Sequence, residues 1–166
     1  MKFNAKKIAT LAILTALSII LSILDGFIPS FIPGMKLGIA NIIILMILYS
    51  YSFKEALLVN LLKVFIAGVL RGNFFNMGFF MSLSGAIFSL IAMYLLKKYI
   101  PKLHIVGVSV IGSVIHSLAQ ILVGMIFINS ISFLYYLPIL SLSSVITGIL
   151  IGLLAQYLNK FNFLKE

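Results

Sequence analysis

Cysteine and tryptophan are absent from this 166-residue chain, and acids nearly so: Asp25, Glu55 and Glu166 are the only three. Without cysteine there is no disulfide, no thiolate zinc site and no thiol nucleophile. Three acids so far apart offer no aspartate-rich cluster to hold Mg²⁺ on a diphosphate. They offer no Ser-His-Asp set either. A GxxxxGK[ST] loop is also missing. The nearest approach, Gly107 with Gly112 and Ser113, lacks the lysine and falls inside an apolar run. The two histidines, His104 and His116, have no acid beside them, which argues against a metal site. These absences leave the catalytic set empty, imply no cofactor and argue against catalysis by this chain alone.

Charge of either sign is scarce, at 9% of residues against about 25% in an average soluble domain. What replaces it is apolar. Hydrophobic residues make up 63% of the chain and the mean hydropathy is +1.25. Six apolar runs are separated by Pro, Gly and charge, at about 8–24, 37–51, 56–70, 74–96, 103–128 and 137–158. A spanning helix needs ~20 such residues, so the second and third runs are the shortest candidates. The expected fold is all-α: one integral membrane bundle of six transmembrane helices occupying residues 1–166.

The net charge of +9 would suggest nucleic acid in a soluble protein. Here the basic residues sit between the runs, so topology explains them and no nucleic-acid partner is implied. Six crossings put both termini on one side. With that side cytoplasmic, the inner segments hold Lys2, Lys6, Lys7, Lys54, Lys97, Lys98, Lys102, Lys160 and Lys165, while the outer ones hold only Lys36 and Arg71. That is a strong positive-inside bias. The basic start resembles a signal peptide, but no small-x-small cleavage site follows, so the first run reads as a retained helix.

Lys63 lies inside the third run. An ammonium group at mid-bilayer costs roughly 2.5–3.5 kcal/mol on insertion scales, so it must face protein, water or a ligand. Asn60, Lys63, Ala67 and Arg71 share one stripe of that helix, and Ser109, Ser113, His116 and Gln120 share one stripe of the fifth. Two such stripes predict either a walled polar cavity or an internal hydrogen-bond network, such as Lys63 with Asn41. Lys36, Lys63 and Arg71 against Asp25 alone favour an anionic or strongly electronegative ligand. The candidate ligand-binding set is therefore Lys36, Asn41, Lys63, Arg71, His116 and Gln120.

The first helix carries Ala5, Ala9, Ala12 and Ala16 on one face, with Thr15, Ser18, Ser22 and Asp25 beside it. Small residues at this spacing let another helix approach closely, either within the bundle or from a separate subunit. The outer loop 25–36, DGFIPSFIPGMK, is rich in Pro, Gly and apolar side chains. It folds over a pocket as a lid or dips into the headgroup region. On the sixth helix Ser144, Gly148 and Gly152 predict close packing.

The run PGMKLGIANIIILMILYSYSFKEALLVNLLKV, residues 33–64, resembles the signature of small bacterial membrane proteins called the Gx transporter family. That family also carries the label heptaprenyl diphosphate synthase component I. GVSVIGSVIHSLAQILV, residues 107–123, resembles its fifth-helix segment. More broadly the chain is similar to the S components of energy-coupling-factor (ECF) transporters, six-helix proteins that bind small molecules on the outer side. The resemblance implies a multi-pass protein of the bacterial cytoplasmic membrane that captures a small molecule. It also implies partners: a transmembrane coupling protein with ATPase subunits, docked through Ala9, Ala12 and Ala16. The family pattern favours Arg where this chain has Lys63, and lysine keeps the charge but loses the bidentate fork. The family label implies an alternative, an accessory membrane component of heptaprenyl diphosphate or menaquinone biosynthesis. A further alternative is a membrane subunit linked to extracellular electron transfer.

Overall fold

A computed structural model describes residues 4–27 and 38–160 of the chain, with side chains through residue 158. Six α-helices account for almost all of them: α1 Ala5–Asp25, α2 Asn41–Ser50, α3 Phe53–Leu70, α4 Met77–Tyr99, α5 Ile105–Ile128 and α6 Leu137–Lys160. A 3-10 turn, Ile131–Tyr136, leads into α6. No strand occurs among the described residues. Four helices, α1, α4, α5 and α6 with its leading turn, are long and apolar enough to cross a membrane.

The other two differ. The second apolar run was expected to be helical over 37–51, but its helix starts only at Asn41, after a turn at Gly38. Its 10 residues span ~15 Å, about half the hydrocarbon thickness. α3 has 18 residues but carries Lys54, Glu55 and Lys63.

Local chemistry sets the helix ends. Ser52 caps α3, accepting from the Lys54 backbone N–H at 3.3 Å, and its hydroxyl donates to the Glu55 carboxylate. The Ser-x-x-Glu spacing is that of a capping box, but here the glutamate bonds the cap hydroxyl rather than the cap backbone N–H. Glu55 also takes Lys7 of α1 in a 2.7 Å ion pair, which ties the start of α1 to the start of α3. Asn76 caps α4 by accepting from Phe79 N–H at 3.1 Å. Asn129, in the left-handed region at φ 51°, closes α5.

α2 is the axis of the bundle. It is apolar all round, as a fully enclosed helix is, and every residue from Asn41 to Leu48 is buried. It touches α1, α3, α4 and α6. α5 packs chiefly on α4 and α6. The α5–α6 approach is backbone-close: a Cβ on Gly148 would come 2.7 Å from Val110 Cα, and one on Gly152 2.6 Å from Val106 Cα. Ser144 joins the same seam, its hydroxyl 2.5 Å from that of Ser117. In lipid, such close packing replaces the hydrophobic drive that water would supply.

Candidate functional site

The site begins at a turn. Asp25 ends α1 and is buried, and its Oδ2 accepts the Gly38 backbone N–H at 2.8 Å. Gly38 has φ +84°, a conformation that costs a residue with a Cβ. Its carbonyl then accepts Asn41 N–H at 2.8 Å and starts α2. Asp25 thus fixes where α2 begins, and with it the place of Asn41.

From Asn41 a hydrogen-bonded chain crosses the interior. Lys63 Nζ donates to Asn41 Oδ1 at 3.1 Å. Asn41 Nδ2 lies 3.4 Å from His116 Nδ1, and His116 Nε2 lies 3.1 Å from the Gln120 amide. All four side chains are at most 6% exposed. An ammonium group only donates, so Asn41 must present its oxygen to Lys63 and its N–H to the histidine. His116 Nδ1 is then the acceptor and its proton sits on Nε2. The Gln120 atom that faces it is Nε2, also a donor, so a proton there requires the amide to turn and offer Oε1, which has no partner among the described residues as placed. Lys63 therefore sets the orientation of the Asn41 amide and, through it, the acceptor role of His116 Nδ1. The ring itself lies over Gly85 of α4, where a Cβ would come within 2.8–2.9 Å of three ring atoms.

The space beside this chain is small. A cavity of ≈ 20 Å³ is lined by Ser22, Asp25, Asn41, Lys63, Ser82 and His116, among others. That is room for about one water molecule, against ~300–1,000 Å³ for an ordinary small-molecule site. One turn from Lys63, Asn60 Nδ2 donates to the Ala86 carbonyl at 2.7 Å and holds α3 to α4, while its Oδ1 has no partner.

Four of the six candidate ligand residues, Lys63, Asn41, His116 and Gln120, thus meet. The pairing of Lys63 with Asn41 is the one expected of an internal network. Arg71 goes elsewhere. Its guanidinium packs against Gly26, with Asp25 close enough to act on it electrostatically. Burial lowers the guanidinium pKa and Asp25 opposes that shift. Lys36 and most of the 25–36 loop lie outside the described residues.

Asp25, the acid already set against these cations, lines the same cavity as Lys63 and acts electrostatically on Arg71. Asp25, Ser22 and Ser82 belong to the site although the candidate set omits them. The i, i+4, i+7 spacing of Ser18, Ser22 and Asp25 was the available signal. Among the described residues, no three His, Asp or Glu side chains gather as metal ligands do. Ala5, Ala9, Ala12 and Ala16 are exposed along α1, so no described residue of the bundle buries this face.

A family model described as heptaprenyl diphosphate synthase component I matches residues 14–158. No curated protein and no solved structure matches the chain.

Proposed function

The chain belongs to the heptaprenyl diphosphate synthase component I family, and from that premise we propose that it is a substrate-binding membrane subunit of the ECF S-component kind. It captures a small, electronegative molecule in the outer half of the bilayer. The observation that carries this reading is the buried chain Lys63–Asn41–His116–Gln120 beside a water-sized cavity. A cation and a titratable ring inside a membrane bundle are costly, and such groups commonly mark a substrate or ion pathway. Since the cavity admits about one water, capture entails its widening. Lys63, Asn41, His116 and Gln120 supply the polar contacts, with Arg71 nearer the outer mouth.

The membrane is a bacterial cytoplasmic membrane, crossed six times when α2 and α3 are counted beside the four long helices, with both termini inside. The exposed alanine face of α1 is where a transmembrane coupling protein with its ATPases docks, through Ala9, Ala12 and Ala16. The domain is single, and this chain acts as a binding subunit without chemistry of its own.

A second reading takes the family's description at its word: a membrane component of a prenyl diphosphate synthase, working with a soluble catalytic partner. The scarcity of acids then means that the partner holds the Mg²⁺ and the diphosphate.

Mass spectrometry of the protein purified from its native membrane reads co-purified small molecules and subunits together. One retained small molecule is expected, about tenfold depleted in Lys63→Met, in line with the loss of a charge-assisted hydrogen bond. Ala12→Leu with Ala16→Leu is expected to shed the coupling subunits while keeping the molecule. Protein that carries no small molecule, but gains prenyltransferase activity with a soluble partner, would sink the first reading and establish the second.

A further inference from the structure

A recess larger than the one at this polar chain opens where α3 begins and α4 ends. A cleft of ≈ 470 Å³ is lined by Tyr51, Ser52, Lys54, Tyr94, Lys97 and Lys98, with Leu48 and Phe53 completing its wall. Three cations face it, and among the described residues no acid does. Glu55, next in sequence to Lys54, turns away into its pair with Lys7 and into the Ser52 cap. Phe53 and Tyr94 stack as one aromatic wall, with ring centroids 4.6 Å apart.

The three lysines differ. Lys97 is already used: its Nζ donates to the Leu48 carbonyl at 2.6 Å, in the last turn of α2, and sits 4.8 Å from the Tyr49 ring centroid. It neutralises the negative end of a buried helix. Lys54 and Lys98 are exposed, and neither ammonium makes a hydrogen bond or ion pair within the described residues. Lys98 only lies over the Tyr99 ring, at 5.3 Å. The start of α3 adds its positive helix end on the same side. A positive-inside bias accounts for lysines at this end of the bundle. It does not require a concave, aromatic-backed cleft with two uncommitted ammonium groups.

We infer that this cleft binds a phosphate-bearing group, with Lys54 and Lys98 as the contacts and Lys97 as the fixed charge behind them. The depth argues for phosphate rather than carboxylate. Lys97 and Lys98 stand in the last turn of a 23-residue apolar helix, hence at headgroup level, where the bilayer's own anions are phosphates. Compact ammonium groups bind phosphate as point charges. The group arrives either on a lipid or as free phosphate or diphosphate. The inference is independent of the molecule captured near Lys63.

The test uses the full-length protein in nanodiscs and two probes, phosphatidylglycerol and inorganic pyrophosphate. Native mass spectrometry compares retained phosphatidylglycerol with retained phosphatidylcholine, and calorimetry follows pyrophosphate. The variant Lys54→Gln/Lys98→Gln leaves the α2 cap intact. Lys6→Gln/Lys102→Gln removes the same charge outside the cleft and serves as control. The cleft variant is expected to bind roughly tenfold or more weakly, at about fivefold per lysine, while the control stays near wild type. Selective loss of phosphatidylglycerol retention identifies a lipid headgroup, selective loss of pyrophosphate binding identifies a free anion, and either supports the site. Equal losses in the two variants, no loss in the cleft variant, or no phosphate binding by wild type would overturn it.

Discussion

Two lysine-bearing regions of this protein have opposite architectures. Around Lys63 every polar group is enclosed, the residual space is ≈ 20 Å³, and the ammonium is bonded to Asn41. Around Lys54 and Lys98 the space is ≈ 470 Å³ and the ammonium groups are exposed. The difference follows from where each lysine finds its solvation. Inside the bundle only other side chains can supply it, so α2, α3 and α5 close around one ordered chain of donors and acceptors. At the membrane edge water and headgroups supply it, so nothing compels the helices to close.

If this account holds, mutations at the two places have very different effects. The largest is expected for Asn41→Leu, which takes from Lys63 and from His116 the hydrogen bond each makes to Asn41. A loss of about 3–5 kcal/mol is expected, as when one partner of a buried charged pair is removed, and reversible unfolding in detergent measures it. Adding Lys63→Met to that variant removes the buried cation that has lost this acceptor and restores part of the stability. Failure of the second mutation to help would show that Lys63 is solvated by something other than Asn41.

Next comes Gly148→Leu, which tests whether the polar chain is held by close α5–α6 packing. The Cβ alone would press on Val110 Cα, so a loss of about 1–3 kcal/mol is expected from overpacking. A smaller effect, about 1 kcal/mol, is expected for Gln120→Leu, which removes one neutral hydrogen bond at the far end of the chain. Thermal melts of the two variants side by side set their order. Smallest of all is Lys54→Gln/Lys98→Gln, expected within about 0.5 kcal/mol of wild type, as for most surface changes. A large loss there would erase the contrast between the two regions.

Much of the polar chain was legible in the sequence, because helical stripes are local. The spacing of Asn60, Lys63 and Ala67 on α3, and of Ser113, His116 and Gln120 on α5, determines which side chains share a face whatever the tertiary fold. Asn41 was legible as a hydrogen-bond partner, since few other polar groups occur in the second run. The four-residue spacing of Ser144, Gly148 and Gly152 likewise announced close packing on α6, though not that α5 is the partner.

What the sequence hid depends on long-range contacts. Asp25 reaches Gly38 across a connection, and that contact delays the start of α2 to Asn41. Arg71 shares a stripe with Lys63, but it follows the end of α3 and its guanidinium is drawn to Asp25 and Gly26. The Lys7–Glu55 pair joins residues 48 positions apart, and no local pattern specifies it. The cleft beside Lys54 is a property of where α4 ends relative to α3. The sequence showed its lysines only as topological charge.

The central claim is that the Lys63 chain serves capture and not stability alone. Asn41→Leu/Lys63→Met tests it most directly, because the double variant removes the polar pair together and stays folded. Mass spectrometry of wild type and double variant, purified identically, compares the retained small molecule. The account predicts a folded double variant that has lost the molecule by an order of magnitude or more, given two lost polar contacts. A folded double variant that retains it as wild type does would contradict the account and reduce the chain to a packing device.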